Sequence, residues 1–271
     1  PEMGGLGGRS MADTSPLISI RGLKVHRGGA LVLEGIDLDV HRGDFVGVVG
    51  PNGSGKSTLL LTIIGQLQPS EGSVSVFGES PGSIATSGRL ASVSQAASNL
   101  PHNLRITVRE LVGLGTLTWR NMIWPNKTER NKRIDDAIRM VGLEDLANRD
   151  IRHMSGGQRQ RAVVARGLAS NAEILILDEP LVGVDRESRK DFLRFLENLC
   201  RNEGKTLLMV THDHTAISRC THCAVCIDGN VHVDEEIELS PNSLMLSNFS
   251  NEINLKESFS LDLLQHSKEV K

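Results

Sequence analysis

Tyrosine is absent from this 271-residue chain, and aromatic residues make up only 3% of it. That leaves too few flat side chains for a platform that stacks nucleic-acid bases. Excess positive charge is missing too. Thirty Lys and Arg face 33 Asp and Glu, a net charge of −3, so no global field holds phosphate backbones and no nucleic-acid partner is expected. Four cysteines do not make a disulfide scaffold at this length. Uninterrupted apolar runs are short, such as Ile174 to Leu177, far from the roughly 20 residues that span a bilayer. Residues 1–16 lack the apolar core of a secretory signal. The expectation is a soluble chain in the cytoplasm that meets a membrane only through a partner.

Apolar residues reach 39%, enough for one large domain with appendages. Residues 1–16 are rich in Gly, Ser and Pro and read as a disordered segment. Residues 17–240 read as one α/β domain, and residues 241–271 as a Ser/Asn-rich tail, disordered or a short amphipathic helix. Alternation over Leu17–Ile20, Ile36–Val40 and Ser73–Val76 predicts strands. Phe45–Val49 is continuously apolar, as a strand buried on both faces must be. It runs through a glycine turn into a helical stretch, Ser57 to Ile64. From about 100 to 165 a helical insert is expected. There Thr107 and Glu110 form a capping box, and Ile134, Ala137, Ile138 and Val141 share one helix face. Strands return at Glu173–Leu177 and Thr206–Val210, with a helix from Arg186 to Leu199 between them and an edge hairpin around Asp228-Gly229-Asn230.

The glycine turn, Gly50-Pro51-Asn52-Gly53-Ser54-Gly55-Lys56-Ser57, has the spacing G-x-x-x-x-G-K-S. Glycines let the backbone wrap a polyphosphate, and the N–H groups that open the following helix, at Ser57 and Thr58, point at it. Lys56 supplies a point charge and the Ser57 hydroxyl a ligand for Mg²⁺. Ile174-Leu175-Ile176-Leu177 ends in Asp178 and Glu179. Asp178 is placed for the Mg²⁺ shell and Glu179 for a general base on the attacking water.

With these stand Met154-Ser155-Gly156-Gly157-Gln158-Arg159-Gln160-Arg161, Gln95 and Asp185, and His212 in Val210-Thr211-His212-Asp213. Together they resemble the ATP-binding subunits of ABC transporters over roughly Leu17 to Asp234. The resemblance implies an ABC-type P-loop ATPase with a RecA-like core, an antiparallel β subdomain and the helical insert. It implies ATP and Mg²⁺ as ligands, Gln95 at the metal or its water, and His212 at the γ-phosphate beside Glu179. Ser155, a natural N-cap, would with Gly156, Gly157 and Gln158 cover ATP held by a second copy of the chain. Transmembrane permease subunits would be the partners, with an extracytoplasmic metal-binding protein behind them, and the chain would sit at the cytoplasmic face of the membrane.

The family's usual aromatic adenine platform is missing. Val25-His26-Arg27-Gly28-Gly29 stands in its place; Arg27 fills the slot, and either its plane or that of His26 can stack on a purine. Glu179-Pro180-Leu181-Val182-Gly183-Val184-Asp185 is most similar to the branch importing zinc, manganese or iron; siderophore or heme import and a non-transport ABC ATPase are the alternatives. Cys220-Thr221-His222-Cys223 has metal-ligand spacing, but Val225-Cys226-Ile227 reads as a buried strand in which Cys is a small apolar residue.

Overall fold

The computed structural model describes residues 15–93, 105–117, 126–212, 216, 219–227 and 230–234, the last two segments by their backbone from 222 onward. The expectations for residues 1–14, for Gln95 and for the tail fall outside the described residues. Two sheets organise the described chain. The smaller joins β1 (Ile18–Arg27), β2 (Ala30–Val40) and β4 (Glu71–Val76) in the antiparallel order β2-β1-β4. The larger has the order β5-β6-β7-β3-β8-β9, from β3 (Phe45–Val49), β5 (Leu90–Val93), β6 (Ile174–Asp178), β7 (Thr206–Thr211), β8 (His222–Ile227) and β9 (Asn230–Asp234). Its first five strands run parallel and β9 returns antiparallel to β8.

Alternation along the parallel strands divides the core into two halves. Phe45, Leu175, Leu177, Leu207 and Met209 face the helical layer. Val46, Val48, Ile174, Ile176, Leu208 and Val210 face the antiparallel sheet and helix α1 (Lys56–Ile63). Both faces of β3, β6 and β7 are covered, which is why their sequences are unbroken apolar runs.

The insert contains helices α2 (Val108–Leu114) and α3 (Lys127–Met140), and α4 (Gly156–Ala169) follows. The Thr107–Glu110 capping box closes as expected: Thr107 N donates to Glu110 Oε2 at 2.7 Å, and Glu110 N to Thr107 Oγ1 at 3.2 Å. Ile134, Ala137, Ile138 and Val141 are all buried. Helix α5 (Arg186–Glu203) lies between β6 and β7 and runs four residues past the expected end, until Gly204 takes the left-handed conformation at φ 61°. Strand β5 was not expected from the sequence. Its four residues, Leu-Ala-Ser-Val, are too short and too weakly apolar to stand out, and pairing with the apolar run Ile174–Leu177 of β6 makes them a strand.

Candidate functional site

The order β6-β7-β3 sets three strand ends side by side, so Asp178 and Glu179, Thr211 and His212, and Val49 and Gly50 converge at one carboxyl edge. That is the edge where parallel sheets bind ligands. From β3 the chain turns through Gly50–Gly55 into α1. Gly55 is the N-cap at φ 95°, and no side chain caps the helix. By contrast, Thr107, Asn126, Ser155 and Asp185 cap α2 to α5 with their own oxygens. Helix α1 therefore keeps its first-turn N–H groups clear of side-chain caps, as an anion site requires.

Gly55 has a second reason to be glycine. A Cβ there would meet Leu33 Cδ2 at 2.5 Å and the Val32 carbonyl oxygen at 3.1 Å. Val32 is the extra residue where β2 skips register, between the pairs Val25–Leu33 and His26–Leu31. The bulge thus backs directly onto the phosphate loop. The hairpin it belongs to turns at Gly28 and Gly29, both at positive φ (59° and 85°), and carries exposed Arg27 at its end. His26 is committed elsewhere, its backbone N and ring Nδ1 each 3.1 Å from Ser70 Oγ. Alternation along β1 sets Arg27 on the side of Val25, opposite His26.

Within the loop, Lys56 is 6% exposed and its ammonium donates to Gly50 O at 2.7 Å and Pro51 O at 2.8 Å. Ser54 Oγ is buried with no hydrogen-bond partner. Pro51, Asn52, Gly53 and Ser57 are exposed, and Thr58 is buried in α1. Burial and the neighbouring Glu179 push the Asp178 carboxyl above the usual carboxylate range, with Lys56 pulling the other way. Lys56 and Asp178 therefore share one electrostatic neighbourhood.

Glu179 adopts φ 50°, a left-handed conformation that costs a non-glycine residue strain. Its backbone N donates to Val210 O at 2.9 Å, which fixes the turn against β7. Its Oε2 is buried and lies 2.9 Å from His212 Nδ1 without the alignment of a hydrogen bond. His212 itself is 59% exposed along its side chain, while that of Glu179 is 16% exposed.

The Ser155 cap closes reciprocally: Gln158 N donates to Ser155 Oγ at 3.3 Å, and Ser155 N to Gln158 Oε1 at 3.1 Å. Its two glycines are in close contact with the chain after β6. A Cβ on Gly156 would lie 3.3 Å from Gly183 O, and one on Gly157 would lie 3.2 Å from Ser188 Cβ. Sequence reasoning places these glycines only by the resemblance, over ATP held by a second copy. It missed Gly183 and Ser188 as their neighbours, for which the sequence holds only the signal that all four residues are small. Asp185 caps α5 by accepting from Ser188 N at 2.9 Å, and that bond holds its carboxyl below the usual range. Among the described residues, the hydrogen bonds made by the Ser155 and Gln158 side chains stay within this turn, and none reaches the loop at 50–56.

Residues 33–182 match the family model described as ABC transporter. This chain belongs to the ABC transporter family. It is an ATPase of that family, and the loop–helix unit, the paired sheets and the helical insert are the ABC P-loop fold. The ABC ATPase is 36% identical over 235 residues to the zinc uptake system ATP-binding protein ZurA of Listeria innocua, covering 82% of this chain and 91% of that one. It is 34% identical over 250 residues to the spermidine/putrescine import ATP-binding protein PotA of Nitratidesulfovibrio vulgaris, covering 90% of this chain and 66% of that one. Among solved structures it is similar to cbiO1 from Clostridium perfringens, part of the ABC transporter complex cbiONQ, with a TM-score of 0.75 and 25% identity over 93% of this chain and 99% of that one. Among the described residues no helix is long and apolar enough to cross a membrane.

Proposed function

We propose that this ABC ATPase energises import of a divalent transition metal ion, zinc foremost and manganese or iron next, through a membrane permease. The similarity to a zinc uptake subunit over 82% of the chain carries the substrate, and the Gly183-Val184-Asp185 turn supports it. The likeness to a spermidine/putrescine import subunit favours polyamine import as the second reading. The ATPase would sit peripherally at the cytoplasmic face of the membrane, fed by an extracytoplasmic metal-binding protein on the far side.

In this reading Gly50 to Thr58 hold the triphosphate, and Lys56 exchanges its two carbonyl partners for the β- and γ-phosphate oxygens. Arg27 stacks on adenine from the hairpin that buttresses Gly55. Magnesium suits the donors present, since the exposed Ser57 hydroxyl and the Asp178 carboxylate are hard oxygens, and Asp178 and Glu179 repel each other until a cation arrives. Ser57, Asp178 and Gln95 would hold it. Bound there, magnesium neutralises charge on the phosphate oxygens. Glu179 takes the proton of the attacking water, its strained φ and 2.9 Å approach to His212 fixing where the base stands. Ser155, Gly156, Gly157 and Gln158 then act on the nucleotide of a second copy.

The test is elemental analysis of cells in which Lys56→Ala replaces the native residue. Zinc content is expected to fall at low external zinc. Normal zinc, manganese and iron would overturn the metal reading, and a loss of labelled spermidine uptake instead would install the polyamine one.

A further inference from the structure

Strand β5 is held differently from its neighbours. Strands β3, β6 and β7 are each paired on both sides, whereas β5 has four residues and, among the described residues, β6 as its one partner. Ala91 and Val93 pack on α4 at Gly167, where an added Cβ would lie 3.5 Å from each. That contact selects the face of β5 but not its register. A slip of one residue would turn Leu90 and Ser92 to α4, whereas a slip of two keeps the face and moves the strand by about 7 Å.

The register is held one residue before the strand. Arg89 O accepts from Glu173 N at 2.7 Å and from Ile174 N at 3.1 Å. The Arg89 guanidinium donates from Nε to Glu173 Oε1 at 2.7 Å and lies over the Phe77 ring, 3.7 Å from its centroid. Glu173 Oε2 accepts from Arg42 Nη2 at 2.8 Å. Arg89 foremost, against the cost of burial and with help from Arg42, holds the Glu173 carboxyl below the usual range. Phe77 follows β4 and is itself fixed, with φ 56° and its N donating to Leu17 O at 2.7 Å. Arg89 therefore ties the start of β5 to the start of β6, to the turn before β3 and to the end of the antiparallel sheet. The strand anchored in this way ends at Val93, and Gln95 follows two residues on. Its partner β6 ends at Asp178.

We propose that Arg89 is a positioning residue for ATP hydrolysis: by locking β5 onto β6 at their amino ends, it sets how far along β6 the chain delivers Gln95 toward the water and magnesium site at Asp178. This rests on the assignment of Gln95 made above.

The experiment compares the full-length chain with its Arg89→Ala, Gln95→Ala and doubly substituted variants. Each is read by steady-state Mg·ATP hydrolysis and by amide hydrogen exchange without nucleotide. An unchanged kcat in Gln95→Ala removes the Gln95 assignment, and the proposal with it. Given a loss there, Arg89→Ala is expected to lower kcat about tenfold with KM for ATP within about twofold, since a misplacement of about 1 Å costs up to roughly 10²-fold. In the Gln95→Ala background the same substitution should cost less than about twofold more, because its effect passes through Gln95. Exchange over residues 90–93 should quicken about tenfold while β3 and β7 keep their protection. Arg89→Lys keeps a charge beside Glu173 but not the planar stack on Phe77, so a loss of about threefold is expected, again absent without Gln95. It carries the test if the alanine variant does not fold. Unaltered kcat, unaltered exchange over β5, or losses that multiply with that of Gln95→Ala overturn the proposal. So does a loss of protection shared by all the strands, which marks general support of the fold.

Discussion

Glu179 combines three features that a single substitution separates. Its carboxylate is mostly buried, it raises the pKa of Asp178, and its backbone is held at φ 50°. Glutamine keeps the shape and the strained backbone but cannot accept the proton of water. A positioned general base contributes about 10²–10⁴-fold, so Glu179→Gln should slow turnover by that factor, an added barrier of ~3–5 kcal/mol. ATP affinity should hold, because Lys56 and the α1 N–H groups are untouched. Glycine at 179 should be as inactive, yet it also releases the left-handed strain, worth about 1–2 kcal/mol, against about 0.5–1 kcal/mol of extra chain entropy. The Gly variant should therefore melt at the wild-type temperature or up to ~4 °C above it. Phosphate release at saturating Mg·ATP, calorimetric ATP titration and thermal melting read the three effects. Hydrolysis by Glu179→Gln within threefold of wild type refutes the base. A loss of ATP affinity in that variant moves the residue from chemistry to binding, and a Gly variant melting several degrees low means the φ 50° turn carries no strain.

Lys56→Ala should lose ATP affinity itself, since its ammonium sits buried in the loop; calorimetry showing unchanged binding would contradict the cradle. Asp178→Asn should raise the melting temperature of the chain without nucleotide by about 1–3 °C while abolishing turnover. The sign follows from a folded pKa above the unfolded one: the ionised carboxylate costs stability at neutral pH, and that cost disappears as pH falls through the folded pKa. The gap between variant and wild type should therefore close in acid. Solvent screens this half-buried group, which keeps the gap under ~1 kcal/mol. Arg27→Ala should weaken ATP binding by about two- to fivefold, the loss of an exposed stacking contact; equal affinities in titration would end its role as the adenine platform.

Much of this site is written locally. The phosphate loop, the caps at Thr107 and Ser155 and the apolar runs of β3, β6 and β7 each depend on residues within a few positions, so spacing alone identifies them. The same holds for α5, whose buried Phe192, Phe195, Leu196 and Leu199 repeat at helical intervals. Strand β5 was not legible, because its conformation comes from pairing with β6 some eighty residues away. Nor was the contact that ties His26, and not Arg27, to Ser70 forty-four residues away. Sequence order separates Gly50, Glu179 and His212 widely; the order β6-β7-β3 makes them neighbours. The close approach of Gly156 and Gly157 to Gly183 and Ser188, and the left-handed turn at Glu179, likewise need a packed neighbour to exist. The sequence by itself determined which groups are available and which short segments hold them, because those depend on local backbone chemistry. The tertiary structure decided which of them meet and in what strained or buried state, because only long-range packing brings distant strand ends to one edge and excludes water from between them.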